Sequence, residues 1–267
     1  IAAINGGIIA ACLSIAVVAL AGYISSLFIP EALPTAKNKK VKTHFFGDVL
    51  EMFKRARADT KPLFSVMIAS GWFFFLGAMY LSQLPNYTAQ SLGVGTDILT
   101  FFLIVFSLGI GLGGLCNEMI LNSKVDLKFI SAALIGIIIF SVDLYFATLF
   151  FNEGAGQSIT HICSDITGVR IMADLFLIAF FAGLYIVPIK AYLQVHASKN
   201  NRARMLAANG LLDSIFILVS ALLAIVMIQL GFEIYDLFLA LAVVSLPVLL
   251  IVVKISPLND LRIFKHE

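Results

Sequence analysis

Charged residues are scarce in this chain. Only 13% of its 267 residues are Asp, Glu, Lys or Arg, while 60% are apolar and 23 are Phe. A soluble domain of this length usually has about a quarter charged and about half apolar residues, because its surface must face water. The composition therefore excludes a water-exposed surface and predicts that lipid surrounds most of the chain.

Cysteine and histidine are also few. The three cysteines, Cys12, Cys116 and Cys163, lie far apart and follow no metal-binding or redox spacing, so they predict no disulfide framework. None of the four histidines lies in the middle of an apolar run, which leaves no metal cluster or catalytic dyad for a membrane-embedded enzyme. We expect no catalytic residue, no cofactor, no bound metal and no nucleic-acid partner.

The sequence is rich in long apolar runs. A helix needs about 20 mostly apolar residues to cross about 30 Å of hydrocarbon, and the backbone leaves only helices or closed barrels as spanning structures. The runs are too long for strands, so the predicted fold class is an all-α polytopic membrane protein with seven transmembrane helices. They cover residues 4–29, 63–84, 98–121, 129–151, 171–195, 205–230 and 236–255. In the third run, small faces for close helix contact are formed by Gly109, Gly111, Gly113 and Gly114.

A basic stretch separates the first run from the other six. It contains eight of the 18 Lys and Arg residues: Lys37, Lys39, Lys40, Lys42, Lys54, Arg55, Arg57 and Lys61. A long basic linker between hydrophobic spans is typical of a transporter that joins two helical bundles. Since only one span precedes this linker, we expect the chain to be the back portion of a larger transporter, cut inside its first half.

This interpretation divides the chain into four parts. Residues 1–30 are the last transmembrane helix of an N-terminal bundle, and 31–62 are a cytoplasmic basic linker. Residues 63–255 form a complete C-terminal six-helix bundle, and 256–267 are a cytoplasmic tail. Within the linker, residues 44–55 place five apolar side chains on one side, which predicts an amphipathic helix on the inner membrane face.

The Lys and Arg residues also predict the orientation. Sixteen of them lie in the linker, in the 122–128 and 196–204 loops or at the C-terminal end, and only Arg170 lies in a loop on the opposite side. Because basic loops stay in the cytoplasm, the linker and the C-terminal end are expected there.

Two adjacent segments resemble a known signature. Residues 183–194 are Gly-Leu-Tyr-Ile-Val-Pro-Ile-Lys-Ala-Tyr-Leu-Gln, and residues 201–209 are Asn-Arg-Ala-Arg-Met-Leu-Ala-Ala-Asn. They resemble the tenth span, basic loop and eleventh span of major facilitator superfamily transporters, and more narrowly the bacterial lysophospholipid transporters. Residues 109–124 resemble the superfamily's Gly-rich loop after span eight, with Asn117 and Glu118 where an Asp and basic residues are usual. Lys190 stands where that family would have a neutral polar residue.

The resemblance covers essentially the whole chain as spans six to twelve. It implies a major facilitator fold and transport of lysophospholipid, chiefly lysophosphatidylethanolamine, across the bacterial inner membrane for re-acylation. It also implies alternating access between two bundles. The implied partners are membrane lipids and an acyl-carrier-protein synthetase/acyltransferase, which is sometimes fused downstream.

Polar residues inside the spans are the candidate site residues, since a charge at mid-membrane costs several kcal/mol unless it is paired or hydrated. Lys190 and Asp213 lie at similar depths on consecutive spans. They predict either an ion pair or the two halves of a zwitterionic head-group site, with Lys190 facing phosphate and Asp213 facing an amine. The alternative, without a function for either residue, is that the Lys190 side chain extends to the membrane interface while Asp213 caps or packs against a neighbouring helix. Gln194 and Asn209, each one turn away on the same faces, favour a polar cluster.

The remaining candidates are spread over three spans. Asp143 is either a cavity or gating carboxylate or a packing acid, and Asp174 is either functional or simply hydrated near the outer end of its span. Further candidates are Tyr185, in the signature segment, and Pro188, which predicts a helix kink. Five further candidates lie along one broad side of the second span: Trp72, Tyr80, Gln83, Asn86 and Tyr87. They predict either the wall of a central cavity or an aromatic belt at the membrane interface.

Two other functions compete with lysophospholipid transport. An exporter of drugs or small metabolites fits the same fold, because apolar spans alone do not reveal the substrate. A seven-span receptor fits the span count, but the chain has no Asp-Arg-Tyr after a third span and no Asn-Pro-x-x-Tyr in its last span.

Overall fold

The structure is a computed structural model that describes residues 2–28, 61–121, 126–151, 159–196 and 202–256. Over these ranges the chain is helical and contains no strand. In chain order the α-helices are α1 (Ala2–Ser26), α2 (Lys61–Asn86), α3 (Thr96–Leu121), α4 (Ile130–Leu149), α5 (Ile159–Ser164), α6 (Ile166–His196), α7 (Arg202–Gln229) and α8 (Ile234–Ile255). A π-helical turn, Tyr87–Ser91, follows α2. The predicted amphipathic helix at 44–55 and most of the 256–267 tail lie outside the described residues.

Six of the helices are long and apolar enough to cross a membrane: α2, α3, α4, α6, α7 and α8. This confirms the prediction of an all-helical, multi-pass membrane protein for these six spans. The first predicted span corresponds to α1, in which the described apolar stretch is the shorter Cys12–Ser26, so its crossing of the membrane stays a prediction. The chain divides into two compact units, and α1 belongs to the first, Ile1–Thr43.

The six long helices all belong to the second unit, His44–Glu267. Within this bundle α6 packs against α3 and α4, while α2 packs against α7 and α8, and α8 also packs against α4. Burial follows this arrangement, since 61% of the most apolar part of α2 is buried but only 17% of that of α7. The core therefore lies around α2, α4 and α6, and α3 and α7 present broad apolar outer faces.

Glycines allow α3 and α6 to pack closely. A Cβ atom at Gly113 of α3 would lie 1.9 Å from the Phe180 carbonyl oxygen of α6, and one at Gly109 would lie 2.6 Å from the Phe176 carbonyl oxygen. On α6, a Cβ atom at Gly183 would meet the Ile110 carbonyl oxygen at 2.3 Å. These positions confirm the predicted small face for Gly109 and Gly113. Gly111, by contrast, faces open space.

The bundle has two ends, which we name the linker end, where α2 begins at Lys61, and the far end. Tyr80 bonds to Ser141 and Tyr87 bonds to Thr148, so α2 and α4 run in the same direction. Ser256 Oγ, just after α8, donates to the Lys128 carbonyl at 2.9 Å, which places the start of α4 beside the end of α8.

Helix α6 begins earlier than the sequence predicts, at Ile166 rather than at residue 171. Asp165 caps this start, because its Oδ2 accepts from the Gly168 amide at 2.9 Å. As a consequence Arg170, expected in a loop, lies in the second turn of a membrane-spanning helix. The helix continues unbroken through Pro188 to His196.

Candidate functional site

A polar cluster lies inside the linker half of the bundle. Lys190 of α6 and Asp213 of α7 form an ion pair, with 2.8 Å between Lys190 Nζ and Asp213 Oδ2. Lys190 therefore points across to α7 and does not extend to the membrane face. By helix rise, Lys190 lies about 9 Å and Asp213 about 17 Å from the linker ends of their helices, so both heads meet well inside the spans.

Two further side chains complete the coordination of Asp213. Ser70 Oγ of α2 donates to Asp213 Oδ1 at 2.9 Å, and Asn209 Nδ2 donates to Asp213 Oδ2 at 2.8 Å. Asn209 Nδ2 also lies 3.3 Å from Ser70 Oγ. The carboxylate thus receives three donors from three helices. We call Ser70, Lys190, Asn209 and Asp213 the linker-side cluster.

The two charges of this cluster differ in access. The Asp213 side chain is 7% exposed, whereas that of Lys190 is 33% exposed. The Lys190 ammonium also lies 4.7 Å from the centre of the Phe74 ring, within the range of a cation–π contact. Asn209 Oδ1 is buried without a hydrogen-bond partner. The cluster therefore offers a reachable cation, a buried anion and one unused acceptor.

The other predicted residues of this region lie around the cluster. Tyr185 is buried, and its hydroxyl donates to the Ala69 carbonyl at 3.0 Å, next to Ser70 in the chain. Pro188 is buried on α6, two residues before Lys190. Gln194 is exposed and does not join the cluster.

Asp143 lies in a second polar group, near the far end. Arg170 Nε donates to Asp143 Oδ2 at 2.9 Å, and a second guanidinium nitrogen contacts Asp143 Oδ1. Asp174, one turn after Arg170 on α6, lies close enough to Asp143 for the two carboxyl groups to share a hydrogen bond when one is protonated. Asp174 is 2% exposed, so it is not hydrated at the surface. We call Asp143, Arg170 and Asp174 the far-side cluster.

Of the second-span candidates, Trp72, Tyr80, Gln83 and Tyr87 are buried, whereas Asn86 is exposed. Trp72 Nε1 donates to Ser245 Oγ of α8 at 3.2 Å. The Tyr80 hydroxyl bonds to Ser141 Oγ of α4 at 2.6 Å, and its ring stacks on Phe238 of α8. Gln83 is 9% exposed and accepts from Asn86 at 3.1 Å. The Trp72 and Tyr80 side chains thus join α2 to α8 and α4.

Sequence reasoning missed Ser70 and Arg170 as site residues. Ser70 lies about 14 Å from the start of α2, a depth similar to that of Asp213, but a serine in an apolar run carries little signal. Arg170 follows Asp143 by 27 positions. Its position next to the apolar run predicted a loop residue.

Among the described residues, no group of three or more His, Cys, Asp or Glu side chains could hold a metal ion. Comparison of the chain with models of protein families, with curated proteins and with solved structures finds no match. Function is therefore inferred from the chain's own residues and their geometry.

Proposed function

We propose that this chain is part of a secondary transporter of the major facilitator fold that moves lysophospholipid, such as lysophosphatidylethanolamine, across a bacterial inner membrane. The observation that carries the proposal is the linker-side cluster, where Lys190 and Asp213 pair 2.8 Å apart inside membrane-spanning helices. Opposite charges held at mid-membrane are costly, and they commonly mark a substrate pathway.

The cluster is complementary to a zwitterionic head group. A lysophosphatidylethanolamine head carries one phosphate and one ammonium, which match the Lys190 cation and the Asp213 anion. Binding would exchange one internal ion pair for two pairs with the ligand, so the charge inside the membrane stays balanced. The free Asn209 Oδ1 supplies an additional acceptor for the ammonium.

The acyl chain of such a substrate has no need of a polar site. It can stay against lipid or the apolar outer faces of the bundle while only the head group enters the cluster. Large apolar side chains are exposed on α7 beyond Asp213, among them Leu218 and Leu222. A lysolipid therefore suits the site better than a wholly water-soluble metabolite.

The proposed mechanism is alternating access, in which this six-helix bundle rocks against a second bundle. Pro188 removes one backbone hydrogen bond from α6 two residues from Lys190, so bending there would move the cation. With the linker end in the cytoplasm, the lysolipid delivered inside would be consumed by an acyltransferase that restores the second chain.

The proposal is tested by uptake of labelled lysophosphatidylethanolamine into proteoliposomes containing the full-length protein. Lys190→Ala and Asp213→Ala should each lower uptake about tenfold or more, since a hydrogen bond to a charged group contributes about 1.5–3 kcal/mol. Lys128→Ala is the matched control, because Lys128 forms an exposed ion pair with Asp126 at 2.9 Å. No lipid uptake by folded wild type, with uptake of a small drug, would replace the proposal with an exporter.

The head-group assignment has its own test. Lysophosphatidic acid carries the phosphate without the amine. Asp213→Asn should therefore impair uptake of lysophosphatidylethanolamine more than uptake of lysophosphatidic acid, whereas Lys190→Gln should impair both. Equal effects of Asp213→Asn on the two lipids would contradict an amine contact at Asp213.

A further inference from the structure

The far-side cluster contains a carboxyl group whose environment does not suit a charge. Asp174 Oδ2 is buried and has no hydrogen-bond partner, and the whole residue is 2% exposed. An ionised carboxylate in such a place loses its hydration without compensation and takes up a proton instead.

The cluster's charges lead to the same conclusion. The guanidinium of Arg170 is already engaged at both oxygens of Asp143, which makes those two residues a neutral pair. A second ionised carboxylate beside them would leave a net negative charge within the membrane. One proton on Asp174 restores neutrality and gives Asp174 an O–H that can donate to the Asp143 carboxylate.

Tyrosines are the other titratable groups near Asp174. Tyr80 of α2 and Tyr87, in the π-helical turn that follows α2, lie within electrostatic range of it. Both hydroxyls bond to α4, Tyr80 to Ser141 and Tyr87 to Thr148, each at 2.6 Å. They are neutral donors engaged with other partners, so they supply no positive charge to an ionised Asp174.

The remaining described charges of the helices around α6 lie elsewhere. Asp97 and Glu118, on α3, are exposed near opposite ends of that helix. On α7, Asp213 is engaged by Lys190 in the linker half. Asp165 caps the start of α6. Among the described side chains, Arg170 is thus the cation beside Asp143 and Asp174.

Exposure falls step by step through the cluster. The side chains of Arg170 and Asp143 are 44% and 35% exposed, and Asp174 is 2% exposed. A proton released by a hydronium ion at the far end can therefore bind Asp143 first. That O–H bond then breaks as the proton passes to Asp174, where a new O–H bond forms.

We propose that Asp174 is a proton-binding site, with Asp143 as its relay to the far end and Arg170 as the fixed counter-charge. In the conformation described here Asp174 holds the proton. Its release accompanies a rearrangement that brings water or a cation to Asp174 Oδ2. This site is separate from the linker-side cluster and does not rest on the proposed lysophospholipid substrate.

Infrared spectroscopy of the full-length protein in lipid nanodiscs, without substrate, tests the proposal directly. A protonated carboxyl group gives a C=O stretching band distinct from the bands of a carboxylate. Wild type should show this band at neutral pH, and Asp174→Asn should lose it. The control Asp97→Asn, at an exposed acid, should retain it.

A second variant keeps the test decisive if Asp174→Asn does not fold. Asp174→Glu retains a titratable carboxyl on a longer side chain, so the band should remain but shift in frequency. A band that is absent from wild type, or unchanged in position and intensity in folded Asp174→Asn or Asp174→Glu, would overturn the proposal. Because no lipid substrate is added, this outcome is independent of the transport assay.

Discussion

The two polar clusters of the bundle contain similar residues but differ in the hydrogen-bond donors that their buried carboxyl groups receive. In the linker-side cluster Asp213 is buried and receives donors from Ser70, Lys190 and Asn209. In the far-side cluster Asp174 is equally buried, yet one of its oxygens has no partner. The two acids therefore differ in the donors they receive and in their access to a cation, and not mainly in burial.

The comparison suggests separate tasks for the two halves. A carboxylate with a full set of donors can exchange one cation for another, which suits recognition of an ammonium group. An acid with an oxygen that lacks a donor, as proposed for Asp174, is stabilised by holding a proton and responds to the entry of water.

The largest effect is expected from Asp213→Ala. This change removes the acceptor for three hydrogen bonds and leaves the Lys190 cation unpaired, so the free energy of unfolding should fall by about 2 to 3 kcal/mol. Thermal unfolding in detergent measures the change. The double variant Lys190→Met with Asp213→Leu should be less destabilised than Asp213→Ala, and equal or greater destabilisation would show that the ion pair is not the cause.

Arg170→Ala should have a smaller effect on stability. Its ion pair with Asp143 is partly exposed, with side chains 44% and 35% accessible, so the loss should be up to about 1 kcal/mol. The infrared response should be clearer, because Asp143 without its cation should take up a proton as well. An unchanged intensity of the protonated carboxyl band in folded Arg170→Ala would contradict the role of Arg170 as the counter-charge.

The tyrosine pairs beside the far-side cluster sharpen the comparison further. Tyr80→Phe and Tyr87→Phe each remove one buried hydrogen bond but leave Ser141 and Thr148 bonded to their own helix. Each should cost about 1 kcal/mol in thermal unfolding. Tyr145→Phe is the control, since the Tyr145 ring packs against Tyr235 and its hydroxyl bonds to no described residue. If Tyr145→Phe lowers the free energy of unfolding as much as the other two variants, the loss does not come from the hydrogen bonds to Ser141 and Thr148.

Much of the helical layout follows from the length of the apolar runs. The predicted spans 98–121, 129–151 and 236–255 differ from α3, α4 and α8 by at most two residues at either end. The start of α6 was wrong by five residues, because Arg170 interrupts the apolar pattern. A charged residue that is paired inside a bundle looks, in sequence, like the end of a span.

The pairing of Lys190 with Asp213 could be anticipated, since their helices are consecutive and both residues lie in the linker half of the spans. The pairing of Arg170 with Asp143 could not, because it requires knowing that α4 packs against α6. The contribution of Ser70 was hidden for a similar reason. It depends on contact between α2 and α7, which are far apart in the chain.

The smallest effect is expected from Lys128→Ala, at the linker end. Lys128 Nζ lies 2.9 Å from Asp126, almost the same distance as the 2.8 Å in the Lys190–Asp213 pair. The Lys128 side chain is 56% exposed, however, so water competes for both charges and the pair should contribute less than about 0.5 kcal/mol. Thermal unfolding of Lys128→Ala beside Lys190→Ala compares two ion pairs of nearly equal length in different surroundings. Equal losses would mean that distance alone sets their strength, whereas a loss confined to Lys190→Ala would assign the difference to burial.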